Sequence, residues 1–153
     1  MAQGFTLIEM MIAVAIVAVL ASIAFPAFQD SIRKGRRADA FAGLTAVQQA
    51  QERWRANNPS YASNAQLTLG VNADPPGLGL LNVSAGGYYD IVISGNSGAG
   101  YTATASAAAG KSQALDGNCA QLRVQVVGGN ILHLAAPVGG EFTEGSGNRC
   151  WVR

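Results

Sequence analysis

From Met10 to Phe28 the chain reads MMIAVAIVAVLASIAFPAF, without one charged residue and with Ser22 its only hydroxyl. A helix rises about 1.5 Å per residue and the hydrocarbon core of a bilayer is roughly 30 Å thick, so a run of this length spans a membrane. A removable secretory signal peptide explains the run less well. Few residues precede Phe5, none of them is Lys or Arg, and no small-x-small cleavage site interrupts the helical pattern.

Moving outward, the run is followed by Gln29-Asp30-Ser31-Ile32-Arg33-Lys34-Gly35-Arg36-Arg37 and then by a stretch that keeps helical period to Asn57. Ala40, Leu44, Val47 and Trp54 share one stripe, while Asp39, Gln49, Glu52 and Arg53 fall elsewhere. Nothing between Phe5 and Asn57 is read as stopping a helix outright except Pro26 and, more weakly, Gly35. The expectation is one helix of about 50 residues, roughly 80 Å long, bent or loosened near Pro26. Its first half is apolar all round and its second half on one side only, so the halves meet different surroundings.

Beyond Asn57 the pattern changes. Residues 58–87 read as a loop, with turn formers at Asn58-Pro59-Ser60, Asp74-Pro75-Pro76-Gly77 and Gly86-Gly87. Tyr88–Ser94, Tyr101–Ser106, Gln121–Val127 and Ile131–Ala135 are short, β-rich runs separated by Gly, Asn and Ser, which predicts four antiparallel strands. Gly128-Gly129-Asn130 is read as a tight hairpin and Pro137–Arg153 as a tail without periodicity. The fold class expected is α+β: a long helix, its first half transmembrane, packed on a four-stranded antiparallel sheet.

The 153 residues suit one compact domain plus one appended element. Apolar residues make up 49% and charged residues 12%, and the net charge of +1 exerts no global pull on nucleic acid or anionic lipid. Cys119 and Cys150 can pair if this part of the chain is exported; the alternative is two free cytosolic thiols. Without CxxC spacing or neighbouring histidines a metal or redox site is disfavoured, and no cofactor is implied. An enzyme has little support. The one histidine, His133, lies in a strand pattern, no nucleophile elbow is present, and the GNSGAG glycines lie between strands, not ahead of a helix.

Gly4-Phe5-Thr6-Leu7-Ile8-Glu9, followed directly by the apolar run, resembles the signature of type IV prepilins and of type II secretion pseudopilins. Arg36–Ala40, Gln48–Trp54 and Asn57–Ala62 resemble the PilE and ComP group of pilins, as do Gly87-Tyr88-Tyr89, Asp116–Cys119 and Cys150-Trp151. The resemblance implies a leader at 1–4, a membrane and polymerisation helix at 5–29 and a pilin globular domain at 30–153, divided into a helical half (30–57), the loop (58–87) and the sheet with the C-terminal region (88–153). It implies cleavage after Gly4 by a prepilin peptidase, N-methylation of Phe5, and assembly through Phe5, Glu9 and Pro26. Glu9 would neutralise the Phe5 amine of a neighbouring subunit, a partner that a carboxylate beside lipid requires; the blander reading is a dipole contribution at the helix start.

The partners implied are further copies or other pilins, the peptidase, the inner-membrane assembly machinery and the inner membrane itself. The location implied is a single-pass inner-membrane precursor with its domain in the periplasm, then an extracellular pilus. The leader Met1-Ala2-Gln3 lacks a basic residue, and the Arg33–Arg37 cluster by itself would place the domain in the cytoplasm. The disulfide expectation and the family topology favour export. A second functional reading is a DNA receptor, with Lys111, Arg123, Arg149 and Arg153 forming a basic patch if the disulfide gathers the tail onto the sheet; a pseudopilin is a third.

Overall fold

The computed structural model describes residues 5–144 and 149–151. One α-helix, α1, runs from Leu7 to Arg55, 49 residues or about 74 Å. Thr6 is its N-cap, and Thr6 and Glu9 exchange hydrogen bonds in a capping box that satisfies two of the orphan donors of the first turn. The helix continues through Pro26 and Gly35 without interruption. The proline removes one bond of the ladder, and on a segment packed against nothing its ring meets no second constraint. At the other end the Asn58 amide donates to Trp54 O (2.8 Å) and an Arg55 guanidinium N–H to Asn58 O (2.8 Å), so two carbonyls at the chain reversal are satisfied.

Every residue from Phe5 to Phe28 is exposed, and burial begins only at Ala40. Ala40, Leu44 and Val47 are buried as their stripe requires, with Ala50 and Gln51 beside them, while Trp54 is half-buried.

The sheet has five strands and not four: β1 Tyr89–Ser94, β2 Gly100–Ala107, β3 Gln121–Val127, β4 Asn130–Ala136 and β5 Thr143–Glu144, in sequential antiparallel order. The fifth comes from the tail, where two residues pair with Leu134 and Ala135. A two-residue strand carries no alternation to read. The β3–β4 turn is Gly128-Gly129, with φ of 56° and 85°, a pair of left-handed positions that only glycine adopts without strain.

The helix lies across the inner faces of β1, β2 and β3. Strict alternation places Tyr89, Ile91 and Ile93, then Tyr101, Ala103 and Ala105, then Leu122, Val124 and Val126 toward it. The small Ala103 and Ala105 leave room for the helix backbone, and at Gly43 even a Cβ would lie 2.5 Å from Ile91 Cδ1. The loop 58–87 contributes Ala62, Leu67 and Leu78 to the same core. Its residues 82–84 run along the free edge of β1, with Ile91 N–H donating to Asn82 O and Ser84 N–H to Tyr89 O. The loop on one side and β5 on the other thus each cover part of an edge of the four longer strands.

Candidate functional site: the bare helix and the basic residues

Glu9 is the only charged residue on α1 before Asp30. It stands at the third helical position, where its carboxylate accepts from the Thr6 amide (3.4 Å) and hydroxyl (3.3 Å) while Thr6 Oγ1 accepts from Glu9 N–H (3.3 Å). The carboxylate is therefore already turned toward the Phe5–Thr6 peptide, beside the point at which a cut after Gly4 would create an amine. Thr-x-x-Glu is a capping-box pattern visible in the sequence, and it makes Thr6 the residue that orients Glu9. Phe5 is 79% exposed. Gly4 lies outside the described residues.

The four basic residues proposed as a patch are not gathered. Arg123 points from the outer face of β3, where Nε donates to Thr104 Oγ1 (3.1 Å) and the guanidinium lies 3.4 Å from the Phe142 ring centre. Partial desolvation there draws its pKa below the usual arginine value. Arg149 lies at the other side, beside α1, with its carbonyl accepting from Arg37 (3.4 Å). Lys111 is exposed just before the turn Ser112–Leu115, and Arg153 lies outside the described residues. Alternation along β3 is the reason: with Leu122 and Val124 inward, Arg123 must face away from the helix that Arg149 borders.

Of the basic residues after the span, Arg33, Arg36 and Arg37 are engaged in the folded chain and Lys34 is exposed. Arg37 forms a two-pronged ion pair with Asp116, both contacts at 2.7 Å, and this bonding raises its pKa. Arg36 donates to Ser112 and lies over the Tyr88 ring, and Arg33 pairs with Asp30 at 3.0 Å. Buried Gln113 donates to Arg33 O (3.2 Å) and to the Tyr89 hydroxyl (2.8 Å). Asp116 was visible in the sequence only as the residue leading into Cys119; its role as the counter-ion of Arg37 needs the fold.

Cys119 and Cys150 form a disulfide with Cα atoms 5.4 Å apart. Next to it Trp151 lies between α1 and β4, where the indole packs at a tilt on Phe41 (5.0 Å) and meets His133 edge-on (4.6 Å), and its N–H donates to Leu134 O (2.9 Å). Among the described residues no cluster of three or more His, Cys, Asp or Glu could hold a metal ion.

Residues 26–123 match the family described as type IV minor pilin ComP, DNA uptake sequence receptor, and residues 1–25 match the prokaryotic N-terminal methylation motif. The chain is 34% identical over 99 residues to the type IV wide pilus major component PilA4 of Thermus thermophilus, an alignment covering 63% of this chain and 76% of that one. It is 36% identical over 74 residues to a type IV major pilin PilE1 of Neisseria gonorrhoeae, covering 48% and 44%, and 50% identical over 52 residues to the type IV major alpha-pilin of Moraxella bovis, covering 31% and 33%. The chain thus spans less than half the length of the latter two. No solved structure matches. With a methylation motif leading into a bare apolar helix, that helix laid on an antiparallel sheet, and a family match over most of the globular part, the chain belongs to the type IV pilins, in the ComP-like family.

Proposed function

We propose that the chain is a structural subunit of a type IV pilus: cut after Gly4, N-methylated on Phe5, and polymerised by burying the Phe5–Phe28 helix among copies of itself or other pilins. The observation that carries this reading is the complete exposure of an uncharged helix over Met10–Phe28, with mean hydropathy 2.6 in its most apolar 18 residues. Bare apolar surface on this scale calls for lipid before assembly and neighbouring helices after it. The prepilin peptidase and the inner-membrane assembly machinery are the partners this route requires. The disulfide supports a periplasmic domain, since such bonds persist in oxidising compartments. The contacts of Arg36 to Ser112 and of Arg37 to Asp116 support reading these two residues as a latch for the domain and not as an orientation signal.

Glu9 supplies register. In the single chain its carboxylate is held only by two long hydrogen bonds, which a full charge on a neighbour's Phe5 amine would displace. The expected outcome is filament material that has lost Met1–Gly4 and gained one methyl group by intact mass. Glu9→Ala should accumulate in the membrane with its disulfide formed and be strongly depleted from sheared filaments. Wild-type incorporation of Glu9→Ala, in cells lacking the parent copy, would refute the pairing. The DNA-receptor reading is favoured by the description of the matching family alone; with Arg123 and Arg149 on different sides of the domain, it would rest on fewer cations than a single patch supplies.

A further inference from the structure

The end of the globular domain nearest the apolar span is the segment Lys111–Asp116. It is held there by the contacts of Ser112, Gln113 and Asp116 to Arg36, Arg33 and Arg37. At about 1.5 Å per residue, those three helix positions stand roughly 8 to 14 Å beyond Phe28. The headgroup layer of a bilayer extends about 5 to 8 Å beyond its hydrocarbon, so modest tilt of the helix brings this segment into it.

What the segment presents suits that contact. Leu115 is 70% exposed, on a stretch that also carries the small residues Ala107, Ala108 and Ala109, and Lys111 is exposed beside it. Lys34 is exposed on the helix at the same level. Of the nearby acids, Asp30 pairs with Arg33, Asp116 with Arg37, and Asp39 with the Ser84 hydroxyl and the Gly86 amide, while Asp90 and Glu141 are exposed at the same end of the sheet. Among the described residues neither Lys34 nor Lys111 forms an ion pair. An exposed leucine flanked by lysines outside any ion pair is the chemistry of an interfacial contact with anionic lipid.

We propose that this end of the domain docks on the bilayer that holds the span, with Leu115 in the headgroup layer and Lys34 and Lys111 on lipid phosphates. The inference rests on the reading of Phe5–Phe28 as membrane-embedded. Docking would hold the domain of the unassembled subunit in one orientation to the membrane.

The test uses the full chain in vesicles of phosphatidylglycerol or of phosphatidylcholine, with a bromine-bearing lipid as quencher. An environment-sensitive fluorophore is placed, one at a time, on Leu115→Cys, on Val17→Cys in the span, and on Ala99→Cys at the far end of the domain. Quenching is expected at 17 and 115 and not at 99, stronger at 115 in the anionic vesicles. Lys34→Gln and Lys111→Gln should each lower the docked-to-free ratio by about fivefold. A quenched probe at 17 with the probe at 115 behaving like that at 99 overturns docking while leaving the membrane reading intact. An unquenched probe at 17 overturns both. Equal quenching at 115 in the two lipids, unchanged in the lysine variants, overturns the role given to the lysines.

Discussion

Tyr101 and Gln51 show how a single buried polar group cuts both ways. Gln51 is fully buried and spends its amide on the backbone of Ala62, accepting from its N–H at 2.8 Å and donating to its C=O at 2.9 Å, so one side chain fastens the helix to the loop that leaves it. Tyr101 is as deeply buried and packs on Tyr61 at 4.8 Å, yet its hydroxyl has no partner. A buried hydroxyl left unpaired costs about 1–3 kcal/mol. Tyr101→Phe keeps the ring and removes the group, so it should raise the thermal midpoint of the detergent-solubilised chain at pH 7. Burial also raises the phenol pKa of Tyr101 and of Tyr89. The unfolded chain then loses these protons first, near pH 10, so stability is intact below that pH and falls as pH rises above it. Denaturation scans from pH 7 to 11 should show this decline, made shallower by Tyr101→Phe. A substitution that lowered stability and left the alkaline slope unchanged would contradict both parts.

The elements were legible in proportion to how much periodicity each carries. The 3.6-residue stripe in the second half of α1 and the alternation of β1 and β3 survive in the sequence because one face of each is buried. The two-residue β5 has no period, and Gln51 looks like any surface glutamine until the loop folds back on it. Glycines in GNSGAG read as hairpin punctuation, which they are, but Gly100 does more. It opens β2 opposite Val127, and a Cβ there would lie 1.9 Å from Val126 O and 2.9 Å from Val126 C. Backbone on both strands would have to part. Gly100→Ala should therefore destabilise by about 1–3 kcal/mol despite the smallest possible side chain. Hydrogen exchange should show the loss concentrated at the Val126 and Val127 end of the β2–β3 ladder, and uniform loss across the sheet would point to a different cause.

At the scale of the whole molecule, the C-terminal region decides whether helix and sheet close properly on the side away from the loop. The helix covers β1 to β3 and not β4, whose inner face stays open at Ile131 and His133, and Trp151 fills part of the space beside them, between Phe41 and His133. The sequence showed the two cysteines and the tryptophan but not the gap they fill, because the gap exists only once the helix has chosen its strands. Keeping a chain end in place costs about 1–2 kcal/mol for each residue ordered, more than one hydrogen bond and two ring contacts supply. The cross-link must make up the difference. Its sequence separation of 31 corresponds to about 3–4 kcal/mol in the chain-entropy model. Replacing both Cys119 and Cys150 by Ser should lower unfolding stability by that amount and, well below the unfolding transition, let Trp151 leave its site. In a Trp54→Phe background, where Trp151 is the only tryptophan, the native emission should then shift to the red. The shift separates two accounts of the bond. A stability loss with unshifted emission means the cross-link acts on the unfolded chain alone, and the wedge seats itself. A red shift in the folded protein means the disulfide holds the wedge, and that closure of the domain over β4 depends on an oxidising compartment.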